Sequence, residues 1–107
     1  MNDVPPNKAI ESLLGLDRLV HEPARLAILT VLSEAEWVEF SFLEAVCQLS
    51  KGNLSSHLSK LESANLVEID KSFRGKRPLT QVRITVSGQQ ALTQYKTELM
   101  QFIQQMK

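Results

Sequence analysis

Apolar positions along this chain change period several times, and each change marks an element. From Ala9 to Leu14 (Ala9, Ile10, Leu13, Leu14), and again at Leu16, Leu19 and Val20, apolar residues are denser than a solvent-facing helix needs. Pro6 or Asn7 opens that helix, Gly15 interrupts it, and Val4 to Pro6 read as a disordered lead-in. His21-Glu22-Pro23 is a break, because proline suits only the first turn of a helix. Leu26, Ile28, Leu29, Val31 and Leu32 then define a broad apolar helix, central and buried, ending near Ser33. Val38 and Phe40 alternate as a very short strand. A third helix from Phe42 to Cys47 is expected to bury Phe42, Leu43 and Val46, with Ser41 as N-cap and Glu44 completing a capping box.

The stretch from Ser50 to Phe73, SKGNLSSHLSKLESANLVEIDKSF, is the most informative. Leu54, Leu58 and Leu61 stand at i, i+4 and i+7 on one face of a helix that Ser50 can cap. The other face carries Gly52, Ser56, Ser59 and Ser63, flanked by Asn53, Ser55 and Lys60. Small hydrogen-bonding side chains without a carboxylate suit a helix lying in a DNA major groove. Serine permits close approach, and asparagine can pair with adenine through two bonds. A solvated helix more often shows Glu and Lys pairs at such positions. Asn65 can take the left-handed conformation that ends a helix.

After it, Val67 and Ile69 alternate with Glu68 and Asp70, and Val82, Ile84 and Val86 alternate with Gln81, Arg83 and Thr85. These are two strands, joined by the basic tip Phe73-Arg74-Gly75-Lys76-Arg77-Pro78. Thr85 or Ser87 caps a last helix, whose Leu92, Tyr95, Leu99, Phe102 and Met106 are spaced 3, 4, 3, 4. That heptad-type seam calls for a partner helix and runs past what a small core can use. Part of the first helix is expected to meet a second chain as well; the alternative is that it only covers the core. Only Gln48 and Leu49 separate the third helix from Ser50, so the two helices form a helix-turn-helix.

Charge sharpens this picture. The 107 residues carry 12 basic and 12 acidic side chains, a net charge of zero that argues against indiscriminate nucleic-acid binding. The distribution is uneven: Ser50 to Arg83 holds seven bases and three acids, net +4, against −4 elsewhere, and Lys71 to Arg83 holds five bases and no acid. Segregated charge is the footprint of a phosphate-binding face, though a solvated basic loop would read the same way. At 43% hydrophobic residues the chain can build one core. No apolar run reaches the roughly 20 residues of a membrane span, and the N-terminus, with Asp3, resembles no secretory or transit peptide. One cysteine excludes an internal disulfide framework and fits a reducing cytoplasm.

Cys47, His21 and His57 lack metal-ligand spacing, and no Gly-rich phosphate loop, carboxylate pair or nucleophile motif occurs. No cofactor and no catalysis are expected. Cys47 beside Val46 reads as core packing in preference to a redox sensor. His57 borders the leucine stripe and is expected to touch core or phosphate.

Three segments carry a resemblance: HEPARLAIL in the second helix, KGNLSSHLSKLESANLVEI across the following helix and strand, and the R-x-T-V-S-G start of the last helix. From about Leu16 onward the chain resembles the winged helix-turn-helix domains of the MarR and ArsR type regulators of bacteria and archaea. The resemblance implies a mainly α fold with a small antiparallel β-hairpin wing (α+β), and a dimeric, sequence-specific transcriptional regulator. Residues 1–107 would form one domain, with 1–20 and 87–107 as dimerisation helices, 41–64 as helix-turn-helix and 66–86 as wing. Double-stranded DNA would be met by Lys51, Asn53, Ser55, Ser56, Ser59, Lys60, Lys71, Arg74, Lys76 and Arg77. Leu13, Leu16, Leu92, Tyr95, Leu99, Phe102 and Met106 would form the homodimer interface. Metal-sensing members carry a cysteine pair in the third helix, and FLEAVCQL has Cys47 alone, which argues against metal sensing. An unidentified small-molecule effector stays open, as does a second use of the fold, a protein-interaction module that does not read DNA.

Overall fold

The computed structural model describes residues 7–106; the expected lead-in at Val4 to Pro6 lies outside them. The order is α1 (Lys8–Leu14), α2 (Pro23–Leu32), β1 (Val38–Glu39), α3 (Phe40–Cys47), α4 (Lys51–Ser63), β2 (Val67–Arg74), β3 (Arg77–Ile84) and α5 (Val86–Gln105). This is an α+β winged helix fold, with a three-stranded antiparallel sheet in the order β1-β3-β2.

Local chemistry sets most boundaries. Asn7 caps α1, Ser50 caps α4 by accepting from the Asn53 N–H, and Thr85 caps α5 by accepting from the Gly88 N–H. Glu22 caps α2 through both carboxylate oxygens, accepting from Ala24 and Arg25, with Pro23 in the first turn. Asn65 at φ 62 and Gln48 at φ 55 supply the left-handed residues that let the chain leave α4 and α3. At the wing tip Gly75, at φ 63, and Lys76 form a two-residue turn with glycine in the first central position, the type II′ arrangement that suits hairpin twist.

One core joins all layers: Ile28, Leu29 and Leu32 of α2, Leu43 of α3, Leu54, Leu58 and Leu61 of α4, Val67 and Val82 of the sheet, and Leu92 and Tyr95 of α5. Gly88 lies where α5 crosses the α4–β2 junction; a Cβ there would sit 2.1 Å from the Leu66 carbonyl oxygen. The far half of α5 projects from this body with α1 packed along it, and Ser12 donates to the Gln105 side-chain carbonyl. The radius of gyration is accordingly 17.0 Å, against about 13 Å for a compact domain of this length.

Several expectations are corrected. The third helix begins at Phe40, so Ser41 and Glu44 form no capping box, and Glu39 precedes it without a side-chain cap. The face turned to the core runs through Phe40, Leu43 and Cys47 at helical spacing, so Leu43 is buried while Phe42 and Val46 are exposed. Val86 is the first residue of α5 and exposed, because Thr85 caps a helix where strand alternation would have continued. Leu16, Leu92 and Tyr95, expected at a dimer seam, are enclosed in the chain's own core. The 3-4 spacing of α5 therefore serves two ends: core at Leu92 and Tyr95, projecting arm at Phe102 and Met106.

Candidate nucleic-acid interface

Helix α4 is fixed on its inner side by three fully buried leucines, which leaves Lys51, Gly52, Asn53, Ser55, Ser56, Ser59 and Lys60 exposed. At about 100° per residue, Ser56 and Gly52 point away from the core, and Asn53 and Lys60 lie on one flank. Ser55, Ser59 and Glu62 lie on the other flank, facing the wing. There they line a hollow with Lys71 and Thr80, floored by Phe40, Leu58 and Ile69. Glu62 is the one carboxylate of that hollow, at the C-terminal end of α4 and outside its run of small polar residues. A second hollow brings Lys51 beside Pro78, Leu79 and Thr80. Helix and wing thus present one continuous concave surface.

Strand alternation gives the wing two different faces. The cross-strand partners Lys71↔Thr80 and Phe73↔Pro78 share the side toward α4; Arg74↔Arg77, Asp70↔Gln81 and Glu68↔Arg83 share the outer side. On that outer side Arg74 donates to Glu39 at 2.5 Å and Arg83 bonds Glu68 at 2.6 Å, with the Arg83 guanidinium 5.0 Å from the Trp37 ring centroid. The basic cluster is therefore split. Among the described residues Lys51, Lys60, Lys71, Lys76 and Arg77 form no ion pair, whereas the Arg74 guanidinium is already engaged by Glu39. The acid that claims Arg74 is 35 residues away, so spacing could not reveal it.

Behind α4 a polar bracket holds the helix in place. Arg25 donates through Nε to the Leu19 carbonyl at 2.6 Å and through Nη1 to His57 Nδ1 at 3.1 Å, and Glu22 lies 3.6 Å from the same imidazole nitrogen. His57 thus belongs to a scaffold contact between α2 and α4 and turns inward from the exposed face. The neighbouring His21 meets the Tyr95 hydroxyl at 2.6 Å, tying the same short segment to α5. Burial pushes the Tyr95 hydroxyl pKa up. Cys47 is half-buried and packs against the core, and burial likewise pushes its thiol pKa up.

A polar helix face beside a hairpin wing defines a winged helix-turn-helix, a class that docks on DNA. The family model for the winged helix DNA-binding domain matches residues 24–103, and the chain belongs to that family. It is 36% identical over 84 residues to an uncharacterised protein of Methanocaldococcus jannaschii, MJ0432, covering 78% of this chain and 91% of that one. A transcriptional regulator homologue from Pyrococcus horikoshii superposes with a TM-score of 0.80 at 29% identity, covering 90% of this chain and 94% of that one. The transcriptional repressor CouR, solved on a 23-mer DNA duplex, shares the fold at a TM-score of 0.69 and 16% identity, covering 86% and 62%. The resemblance to MarR-type regulators holds at the level of fold. No helix among the described residues is long and apolar enough to cross a membrane.

Proposed function

We propose that this DNA-binding regulator works as a homodimer that recognises specific sequences in double-stranded DNA, placing one α4 in each of two major grooves and one wing beside each. The reading is carried by a single observation: Asn53, Ser55, Ser56 and Ser59 are exposed together between Lys51, Lys60 and Lys71. Neutral donors and acceptors address base edges; the surrounding cations address phosphate and fix the register. CouR, of the same fold, was solved on duplex DNA, which agrees with this docking. A surface used only for protein contacts would have no need of five unpaired bases. For the dimer, the support is the projecting arm. Ile10, Leu14, Met100, Ile103 and Met106 are each about half exposed or more, an apolar load that a second copy would cover. Leu99 packs on the core, while Leu13 and Phe102 line the groove between α1 and α5 and would continue that surface. In this reading the dimer pairs residues 8–14 and the far half of α5, 41–64 docks, and 66–86 anchors.

The test is binding of the purified protein to genomic fragments, starting with its own promoter, followed by anisotropy on the retained and scrambled duplexes at two salt concentrations. Selective retention with a steep salt dependence is expected. Absence of binding to any duplex at low salt would hand the surface to the protein-interaction reading.

A further inference from the structure

Near its tip the wing has one apolar face and one cationic face. Around the Gly75-Lys76 turn, Arg74 opposes Arg77 on the outer side, and Phe73 opposes Pro78 on the side toward α4. Two contacts agree with this alternation. Arg74 reaches Glu39 across the outer surface, and Lys71, two residues before Phe73, lines the hollow shared with Ser55 and Ser59. Phe73 is 72% exposed. A single exposed ring is ordinary on a protein surface, so exposure alone decides nothing. Its setting does: the ring lies among Lys71, Arg74, Lys76 and Arg77, the part of the chain least suited to an apolar partner and best suited to a polyanion.

We propose that Phe73 is a specificity-determining wedge, which the wing tip presses into a DNA minor groove so that flexible A·T steps are preferred beside each half-site. The inference rests on the DNA-binding reading above. With α4 in a major groove about 12 Å wide, Lys71 falls at the groove wall. Phe73 lies about 6.7 Å further along the strand, at the adjoining minor groove. A phenyl ring cannot bond base edges; what it can do there is pack on sugars or enter a loosened base step. Apolar wedges of this kind cost least where stacking is weakest, at pyrimidine–purine steps such as TA. Pro78 stands opposite it on β3, where its ring fixes the local backbone. Arg77 on the other face, free of the Glu39 pairing that holds Arg74, would meet the second groove wall, so the tip would discriminate by DNA shape and not by base-edge bonds.

The test uses the intact protein with two probes, duplexes of about 30 base pairs made of alternating TA or alternating GC, so that no operator need be known. The parent is expected to bind the TA duplex about tenfold more tightly. Phe73→Ala should lose most of that preference while keeping the slope of log affinity against log salt. Lys71→Ala should keep the preference and lower the slope by about 0.9. A 2-aminopurine placed in a TA step should brighten with the parent and not with Phe73→Ala, and Phe73→Leu should retain part of both effects. Equal weakening on the two duplexes, no change in either, or no 2-aminopurine response to the parent would overturn the inference while leaving DNA binding intact. Failure of the parent to bind either duplex would instead remove the DNA reading, and this inference with it.

Discussion

The Arg25 guanidinium stands 3.1 Å from His57 Nδ1, so α2 holds α4 from behind by a charged donor on a ring nitrogen. Arginine is always a donor, so Nδ1 accepts in this contact. Arg25 also donates to the Leu19 carbonyl, so its removal leaves two acceptors short. Arg25→Ala is expected to cost about 1–3 kcal/mol and to weaken DNA binding although the residue lies behind the docking face. His57→Ala should cost less, since Arg25 keeps Leu19 and Glu22. Thermal unfolding and anisotropy on both variants check this; an Arg25→Ala protein of unchanged stability would show that the bracket is idle.

Glu22 gives the bracket a pH signature. Burial works against its charge, but the N–H groups of Arg25 and Ala24, with His57 and Arg25 nearby, prevail and hold its carboxyl below the ordinary 4.5. A depressed value means that the folded state favours the ionised form. That stabilisation is complete above 4.5 and disappears as the pH falls through the folded value. Glu22→Gln should therefore show a flatter loss of stability on acidification below about pH 4.5 than the parent. Glu22→Ala also removes the N-cap and should cost about 0.5–2 kcal/mol at neutral pH. Urea titrations at several pH values distinguish the two; parallel acid limbs for parent and Glu22→Gln would refute the assignment.

Two glycines should respond in opposite directions. At Gly88 an added Cβ would meet the Leu66 backbone at 2.1 Å and Ile84 Cγ1 at 2.6 Å, and backbone cannot give way cheaply. Gly88→Ala is expected to destabilise by at least about 1–3 kcal/mol. Nothing lies within 4 Å of a Cβ at Gly52, so Gly52→Ala should stabilise α4 by up to about 1 kcal/mol through helix propensity. The same methyl group projects from the proposed docking face, so specific DNA affinity should fall as stability rises. A gain in both would mean that α4 does not approach the bases closely.

Cys47 is expected to be slow to react. The half-buried thiol has its pKa raised by burial, which lowers the fraction of reactive thiolate at neutral pH. Alkylation of the native protein should be slow, and Cys47→Ala should leave DNA affinity unchanged before and after mild peroxide. Rapid labelling with release of DNA on oxidation of the parent alone would make it a sensor.

What could be read from the sequence divides along physical lines. Elements with a strict period and a local cap were legible: Leu54, Leu58 and Leu61 behind Ser50, Asn65 at the end of α4, and the alternation of Val67 with Ile69. The start of α3 was not. Ser41 offered a cap two residues late, and pairing of Val38 with Val82 outweighed it by ending the strand at Glu39. The α5 seam misled for a related reason, since spacing alone does not say whether the partner is a second chain or the chain's own core. Long-range polar pairs leave no local trace. Nothing near Arg74 in sequence announces Glu39, and nothing near His57 announces Arg25.

The division of labour on the docking surface gives the last prediction. Removing Arg74, Lys76 and Arg77 together takes charge from the wing tip, where bonds to phosphate carry no sequence information. Specific and non-specific binding should weaken alike, and the salt slope should fall by about 0.9 for each phosphate no longer neutralised. Arg74 is already paired with Glu39, so Arg74→Ala alone should change the slope less than Lys76→Ala or Arg77→Ala alone. Replacing Asn53 and Ser56 with Ala should instead erode preference for the operator by about 1–3 kcal/mol per well-matched base, with non-specific affinity nearly kept. Ser50, which caps α4, is left untouched, so the helix itself should survive this change. A two-fold dimer would further set half-site centres about 34–36 Å apart or a multiple of that, making the operator a rough palindrome. Ile103→Glu with Met106→Glu, at exposed arm positions outside the core, should abolish the dimer in sedimentation while each monomer stays folded. Affinity for one half-site should then persist and preference for the paired site should vanish. Salt titrations of parent and variants on operator, half-site and scrambled duplexes decide the matter. If the wing variant loses only specificity, or the helix variant loses all binding equally, the roles of reading and anchoring are reversed.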